Sequence, residues 1–239
     1  MTPPAPESNS LLAVLPADER ARLTHFLHWV ELKRGSMLYR SGDAPDYLYF
    51  PVSLVVALIA LGRSGATTGL ALIGSEGGIG LMEVLAGERL PHDVVTLLPG
   101  GVYRLPARQA AQVFAPASAL LAASLNHGHS LMTQIAQTAF CNLHHTLDQR
   151  LCRWLLSIAY RRSERELQLT EAQIADLLGV RRETVCLAIV RLQEEGLIRH
   201  DRGVVEILDR DSLEAKACEC LPVFPWHAYP VSCVVSGTA

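Results

Sequence analysis

Apolar positions along this chain change their spacing once. From Val30 to Leu105 they come in short bursts: Val30-Glu31-Leu32, Met37-Leu38-Tyr39, Tyr47-Leu48-Tyr49-Phe50, Leu54 to Leu61, Thr67 to Ile73, Val94 to Leu98 and Val102 to Leu105. Turn residues divide them, at Gly35, Ser41-Gly42-Asp43, Gly62 to Gly65 and Pro99-Gly100-Gly101. Many short strands at regular intervals predict an antiparallel barrel or jelly roll. Ahead of them, residues 1–10 read as a loose arm and Pro16 to Arg20 opens a short helix carrying Leu23, Phe26 and Leu27. Beyond the strands the spacing becomes helical. Pro106 to Phe114 predicts a short helix and residues 117–145 a long one, extending roughly 43 Å at ~1.5 Å per residue. Within it Leu121, Leu125, Gly128, Met132, Ile135, Ala139 and Asn142 alternate steps of four and three, the pattern of a coiled-coil seam. Glycine inside a helix costs about 1 kcal/mol against alanine, so Gly128 on that seam predicts close approach of a partner helix; the alternative is that this helix merely lies against the barrel. Another helix, Leu147 to about Arg162, carries Leu151, Trp154, Leu155 and Ile158.

Leu169 to Ile207 then reads as two short helices around a tight turn, followed by a hairpin. Thr170 with Gln173 three residues later makes a capping box. Ile174, Leu177 and Leu178 follow at helical spacing, and Gly179 supplies the left-handed residue that ends a helix. A second helix runs from about Arg181 to Glu195 with Val185, Ile189 and Leu192 on its buried face, and Gly196 closes it. Leu197, Ile198 and Val204 to Ile207 flank the turn-like Asp201-Arg202-Gly203. This is the pattern of a winged helix-turn-helix, whose second helix fits the DNA major groove. Asp209 caps a last helix to Cys218, and an irregular tail follows from Leu221.

Composition sharpens the division. Twelve of the 17 glycines lie between Gly35 and Gly101, and no proline falls between Pro116 and Pro222, as a helix-rich stretch requires. Hence the expected class is α+β: a β-roll at 11–116, a dimerisation helix at 117–145, a winged helix-turn-helix at 146–220 and a tail at 221–239. The apolar fraction of 49% marks a core-forming chain. The N-terminus lacks the basic start and apolar run of a secretory signal, and Val52 to Leu61 is too short to span a bilayer. A cytoplasmic location, no membrane partner and six reduced cysteines are expected. Bulk charge does not point to DNA: residues 146–239 hold 12 Lys and Arg against 14 Asp and Glu. Double-stranded DNA as partner therefore rests on the placement of Arg181, Arg182, Arg191, Arg199 and Arg202.

Barrel, seam helix and winged helix-turn-helix in that order, with the string RRETV, resemble the Crp/Fnr family of bacterial transcription regulators over roughly residues 11 to 220. The segments SEGGIGLMEVLAGE, CNLHH, RLCRWLL and DRDSLEAKACEC resemble a proteobacterial subgroup without a settled effector. The resemblance implies a homodimer on a two-fold symmetric operator, with RNA polymerase as a further partner. It also implies base reading by an Arg-Glu pair, here Arg182 and Glu183, and by an Arg one turn later, where this chain has Leu187. An Arg forks onto guanine and a Glu accepts from cytosine, so losing the later Arg predicts an unfamiliar half-site. Thr170, Arg181 and Thr184 are expected near phosphates, with Arg199 or Arg202 of the wing reaching the backbone.

For the barrel, cyclic-nucleotide-binding relatives imply Gly-Glu-Leu for the ribose and Arg-Ser/Thr-Ala for the phosphate. Here Gly80-Leu81-Met82-Glu83 and Glu88-Arg89-Leu90-Pro91-His92 stand instead. Glu83 and Arg89 are the effector-binding candidates, but the displaced acid and Pro91 argue against a cyclic nucleotide held in the usual manner. Gly74 to Gly80 lacks the Lys-Ser/Thr of a phosphate loop and reads as a turn or bulge. Cys141 with His144 or His145 shares a helix face and could seat a thiophilic metal, with Cys218 and Cys220 completing four ligands only if the fold brings them near. Otherwise Cys141 is a small buried hydrophobe, and no cofactor is predicted. The competing function is a metal, redox or small-molecule sensor acting mainly through protein partners. An enzyme finds no nucleophile–base pair, HExxH or phosphate loop in its support.

Overall fold

The computed structural model describes residues 3–109, 112, 114, 118–162 and 164–221. Seven strands form the N-terminal half: β1 (His28–Leu32), β2 (Met37–Tyr39), β3 (Tyr47–Pro51), β4 (Val55–Leu61), β5 (Thr67–Ile73), β6 (Asp93–Leu98) and β7 (Gly100–Pro106). They pair antiparallel into a four-stranded sheet ordered β2-β6-β4-β5 and a three-stranded sheet ordered β1-β7-β3. The expected β-roll is present.

Strand β4 explains why its sequence is a continuous apolar run and not an alternation. Val56 and Leu58 join Leu54, Ile73, Val94 and Val102 in one buried cluster. Val55 and Ala57 join Leu72, Leu97 and Leu98 in another, shared with the C-terminal helices. A strand covered on both faces has no polar side to show.

Helices are α1 (Ser10–Ala13), α2 (Ala17–Thr24), α3 (Leu81–Ala86), α4 (Ala119–His144), α5 (Leu147–Arg162), α6 (Glu171–Leu178), α7 (Arg182–Glu194) and α8 (Arg210–Lys216). Strands β8 (Glu166–Leu167), β9 (Ile198–Asp201) and β10 (Val204–Ile207) make the wing sheet, ordered β8-β10-β9. Three elements differ from the sequence reading. The N-terminal segment is docked, because Asn9, wholly buried, donates to the carbonyls of Pro51 and Gly77 while its Oδ1 caps α1. Leu81 to Ala86 is helical, started and ended by glycines at φ +81° and +70°. Of the short helix expected over Pro106 to Phe114, Ala107–Gln109 forms a 3-10 turn and Gln112 is helical, while residues 110, 111 and 113 lie outside the described residues, as do 222–239 of the expected tail.

Helix α4 is amphipathic with its faces exchanged. Ser124, His127, Ser130, Gln134 and Thr138 are buried, His127 and Gln134 against Gly78 and Leu72 of the barrel, whereas Leu125, Met132, Phe140 and Leu143 are exposed. His127 bonds to Gly78 of the glycine-rich loop at 2.9 Å, and a Cβ on Gly77 would strike its ring. The loop's glycines thus let this helix lie close.

The seam reading needs correction here. Gly128 is buried, and a Cβ there would stand 2.7 Å from Met82 Sδ of the same chain. Its close approach is to α3, not to a partner helix. Leu121 and Ile135 are half-buried, Ile135 against the barrel core, while Leu125, Met132 and Ala139 point outward.

Candidate nucleic-acid interface and sensor sites

The reading head is built as its capping residues dictate. Thr170 Oγ1 accepts from the backbone N–H of Gln173, and the Gln173 side chain returns the bond to Thr170. Gly179 ends α6 at φ +65°, where a side chain would be strained. The turn then delivers Arg181 as N-cap of α7, with no side-chain cap bond. Val185, Ala188, Ile189 and Leu192 anchor α7 in the core. Arg181, Arg182, Glu183 and Thr184 are exposed together on its first turn, followed on the open side by Leu187 (62% exposed) and Val190. The wing turns through Arg202 at φ +45° and Gly203 at φ +78°, the pair of left-handed residues a tight hairpin needs.

Carboxylates hold most of these arginines. Glu171 Oε2 accepts from Arg182 Nε at 2.8 Å and Nη2 at 2.7 Å. Its carboxyl lies below the usual range because Arg182 donates to it. Arg191 makes a two-pronged bond to Asp148 of α5 at 2.6 and 2.9 Å, which removes it from the free cations of the interface. Arg199 pairs across the wing with Glu206. Sequence reasoning missed Glu171 and Asp148, which stand 11 and 43 residues from their arginines. Thr170 is already engaged by Gln173, so its hydroxyl is primarily a cap.

The head is also fastened to the barrel. Gly69 of β5 lies under Leu177 and Trp154, where a Cβ would sit tightly at 3.0 and 3.1 Å from them, and Thr67 donates to Asp176 at 3.0 Å. Arg161 of α5, with a side chain 5% exposed, meets Glu76 of the glycine-rich loop at 2.6 Å and donates to the Leu72 carbonyl.

Beside α3 a cavity of about 30 Å³ is lined by Leu58, Ile73, Gly80, Glu83, Leu90 and His92 among others. That is room for about one water, against the several hundred Å³ typical of a ligand site. Burial raises the Glu83 carboxyl above its ordinary range and lowers His92. Arg89 turns away and donates to the Gly42 carbonyl at 2.8 Å. Glu83 thus lines this small cavity, while Arg89 is engaged by the Gly42 carbonyl.

The cysteines behave differently. Cys141 of α4, His145 at its C-cap, and Cys218 and Cys220 just past α8 bring their donor atoms within 4.8 Å of one another. Cys141 Sγ lies 3.9 Å from Cys218 Sγ, and Cys220 Sγ lies 3.7 Å from His145 Nδ1. Hydrogen bonding between the two thiols lowers Cys141 and raises Cys218. Hydrogen bonding to Cys141 raises the His145 imidazole. His144 is not part of the group; it is exposed and its ring lies against Phe140.

Comparison with known proteins agrees with this anatomy. Residues 149–216 match the model of a Crp-like helix-turn-helix domain, and residues 29–116 that of a cyclic nucleotide-binding domain. No curated protein matches the chain. Among solved structures, the c-di-GMP-responsive global regulator CLP of Xanthomonas campestris superposes with a TM-score of 0.67 at 18% identity, covering 81% of this chain and 100% of that one. A CRP-family transcriptional regulator of Thermus thermophilus gives 0.65 at 22%, covering 79% and 96%. FixK2 of Bradyrhizobium japonicum gives 0.65 at 16%, covering 80% and 98%. At these identities the structural likeness establishes the fold, and the two domain models add what the domains are. With a Crp-like helix-turn-helix following a cyclic nucleotide-binding-type β-roll on one chain, the protein belongs to the Crp/Fnr family of bacterial DNA-binding transcription regulators.

Proposed function

We propose that two copies of the chain pair along α4 and place their α7 helices in successive major grooves of a two-fold symmetric operator. The observation that supports the pairing is the exchanged amphipathicity of α4. Ala122, Leu125, His129, Met132, Ala136, Ala139 and Leu143 are all exposed at alternating three–four spacing, the geometry of a helix seam. This register retains Leu125, Met132 and Ala139 of the expected seam and replaces the positions that lean on the barrel.

On DNA, Arg182 forks to a guanine and Glu183 accepts from a cytosine amine. Leu187 offers its apolar surface to a thymine methyl, a contact open to an aliphatic side chain. Arg181, Thr184 and the open N-terminus of α7 face phosphates, with Arg202 and Arg199 of the wing beside them. The β-roll at 11–116, the dimer helix at 117–145 and the reading head at 146–220 are the working units. The described helices include none long and apolar enough to cross a membrane, which suits a regulator acting in the cytoplasm, with RNA polymerase as its further partner. The barrel transmits its input through the Gly74–Gly80 loop, which His127 and Arg161 connect to α4 and α5. The small cavity beside Glu83, with Pro91 where a hydroxyl residue would stand, argues that a cyclic nucleotide held in the usual manner is not that input.

Footprinting on genomic fragments at several salt concentrations tests the proposal. The expected result is a protected palindrome with half-site centres about 34–36 Å apart. Binding that is equally tight on every fragment would overturn it.

A further inference from the structure

We propose that Cys141, His145, Cys218 and Cys220 form a tetrahedral site for one zinc ion, which pins the end of the long helix to the end of the reading head. The distances fit a single ion. Zn–S of about 2.3 Å and Zn–N of about 2.0 Å set tetrahedral ligands about 3.8 Å (S···S) and about 3.5 Å (S···N) apart. The observed separations are 3.9 Å for Cys141–Cys218 and 3.7 Å for Cys220–His145. A disulfide, with sulfurs about 2.05 Å apart, would use two thiols and leave the third cysteine and the imidazole unexplained. Three thiolates and one imidazole in a tight tetrahedron select zinc over the hard oxygen-seeking cations.

The surroundings are those of a ligand set, not of apolar filling. Cys141, Cys218 and Cys220 are at most 2% exposed, and among the described residues no other buried hydrophobic side chain joins their cluster. His145 turns Nδ1 to the sulfurs while Nε2 meets Glu219 Oε1 at 3.2 Å. That pairing puts the proton on Nε2 and aims the Nδ1 lone pair into the site, the carboxylate–histidine arrangement that orients metal ligands. Gln137 Nε2 donates to Cys220 Sγ at 2.7 Å. Three thiolates about Zn²⁺ leave one net negative charge, and the buried Arg153 guanidinium of α5 stands close enough to all three cysteines to offset it.

The site's position says what the ion would do. Cys141 and His145 close α4, and α5 begins at Leu147, so the chain bends at His145-Thr146. Cys218, 77 residues from Cys141, follows α8, which packs on α5. The ion thus ties both sides of the elbow between the long helix and the reading head. An occupied site holds the head at one angle; an empty one leaves it held by packing alone.

The test uses the full chain, reduced, stripped of metal with a chelator, and titrated with Co²⁺ and then Zn²⁺. One Co²⁺ per chain is expected, with the visible bands of a tetrahedral ion and a thiolate charge-transfer band, both lost when Zn²⁺ displaces it. Cys218→Ser and Cys220→Ser should weaken or change those bands, and Cys186→Ser should not. His145→Cys should still take one ion, with shifted bands, which guards against variants that merely fail to fold. Glu219→Gln should weaken binding about tenfold. Amide exchange over 141–147 and 217–221 should slow on adding Zn²⁺. Absence of the bands, bands unaltered by both serine variants, or exchange indifferent to Zn²⁺ would overturn the proposal. None of these readouts involves DNA, so they stand or fall apart from the operator reading.

Discussion

In the isolated chain the side chain of Arg182 is 66% exposed yet held by Glu171 through two bonds, from Nε at 2.8 Å and Nη2 at 2.7 Å. Reading a guanine requires the same donors, so Glu171 competes with the operator for them. The two partners of this ion pair should therefore move operator affinity in opposite directions. Arg182→Ala removes the base contact: a bidentate Arg–guanine pair discriminates roughly 5- to 150-fold, and operator affinity should fall by that range while affinity for random DNA falls little. Glu171→Gln removes the competitor. Exposed ion pairs contribute little, so operator affinity should rise by no more than about fivefold. Losing a negative charge also strengthens binding to any DNA, and that part is sensitive to salt. Fluorescence anisotropy with operator and scrambled duplexes at two salt concentrations separates the effects, because release of Arg182 favours the operator alone. A fall in operator affinity for Glu171→Gln, or an equal fall on both duplexes for Arg182→Ala, would refute the assignment of Arg182 as a base reader.

Four further outcomes follow from the geometry. Met132→Glu places a charge on the exposed face of α4, where Met132 is 69% exposed; light scattering should report a monomer with an intact circular dichroism spectrum, and a persistent dimer would move the seam elsewhere. Glu76→Ala leaves the buried Arg161 without the carboxylate that faces it, and urea unfolding should show a loss of about 3 kcal/mol; a loss below about 1 kcal/mol would contradict that. Asp148 is held below the usual carboxylate range by Arg191, so its contribution is present above its unfolded value, about pH 4, and disappears as pH falls through its lower folded value. Urea midpoints measured from neutral to acid should fall less steeply for Asp148→Asn, and an unchanged slope would refute the linkage. Finally, calorimetry with cyclic AMP should show no saturable heat, since the cavity beside Glu83 is about 30 Å³; a saturating isotherm would show that the barrel opens to admit it.

The sequence by itself determined the local elements. Thr170 with Gln173, Gly179 and Gly196 mark where helices begin and end through bonds spanning three or four residues, and α6 and α7 lie where those signals put them. The strands of the β-roll were legible for the same reason, since turn residues interrupt short apolar runs. Tertiary structure decided what no short window contains. The seam spacing on α4 was visible, but which side meets the barrel depended on Met82 filling the groove at Gly128 and on Gly78 receiving His127, so Leu121, Gly128 and Ile135 of the expected positions faced inward. The occupation of Arg182 by Glu171 and of Arg191 by Asp148 arose from packing between helices. The four metal-type ligands came together because α8 returns to the end of α4, joining residues 77 apart in sequence. Capping, turns and periodicity act between near neighbours along the chain, whereas the choice of face, ion-pair partner and ligand set is made by the close packing of elements that the chain order leaves far apart.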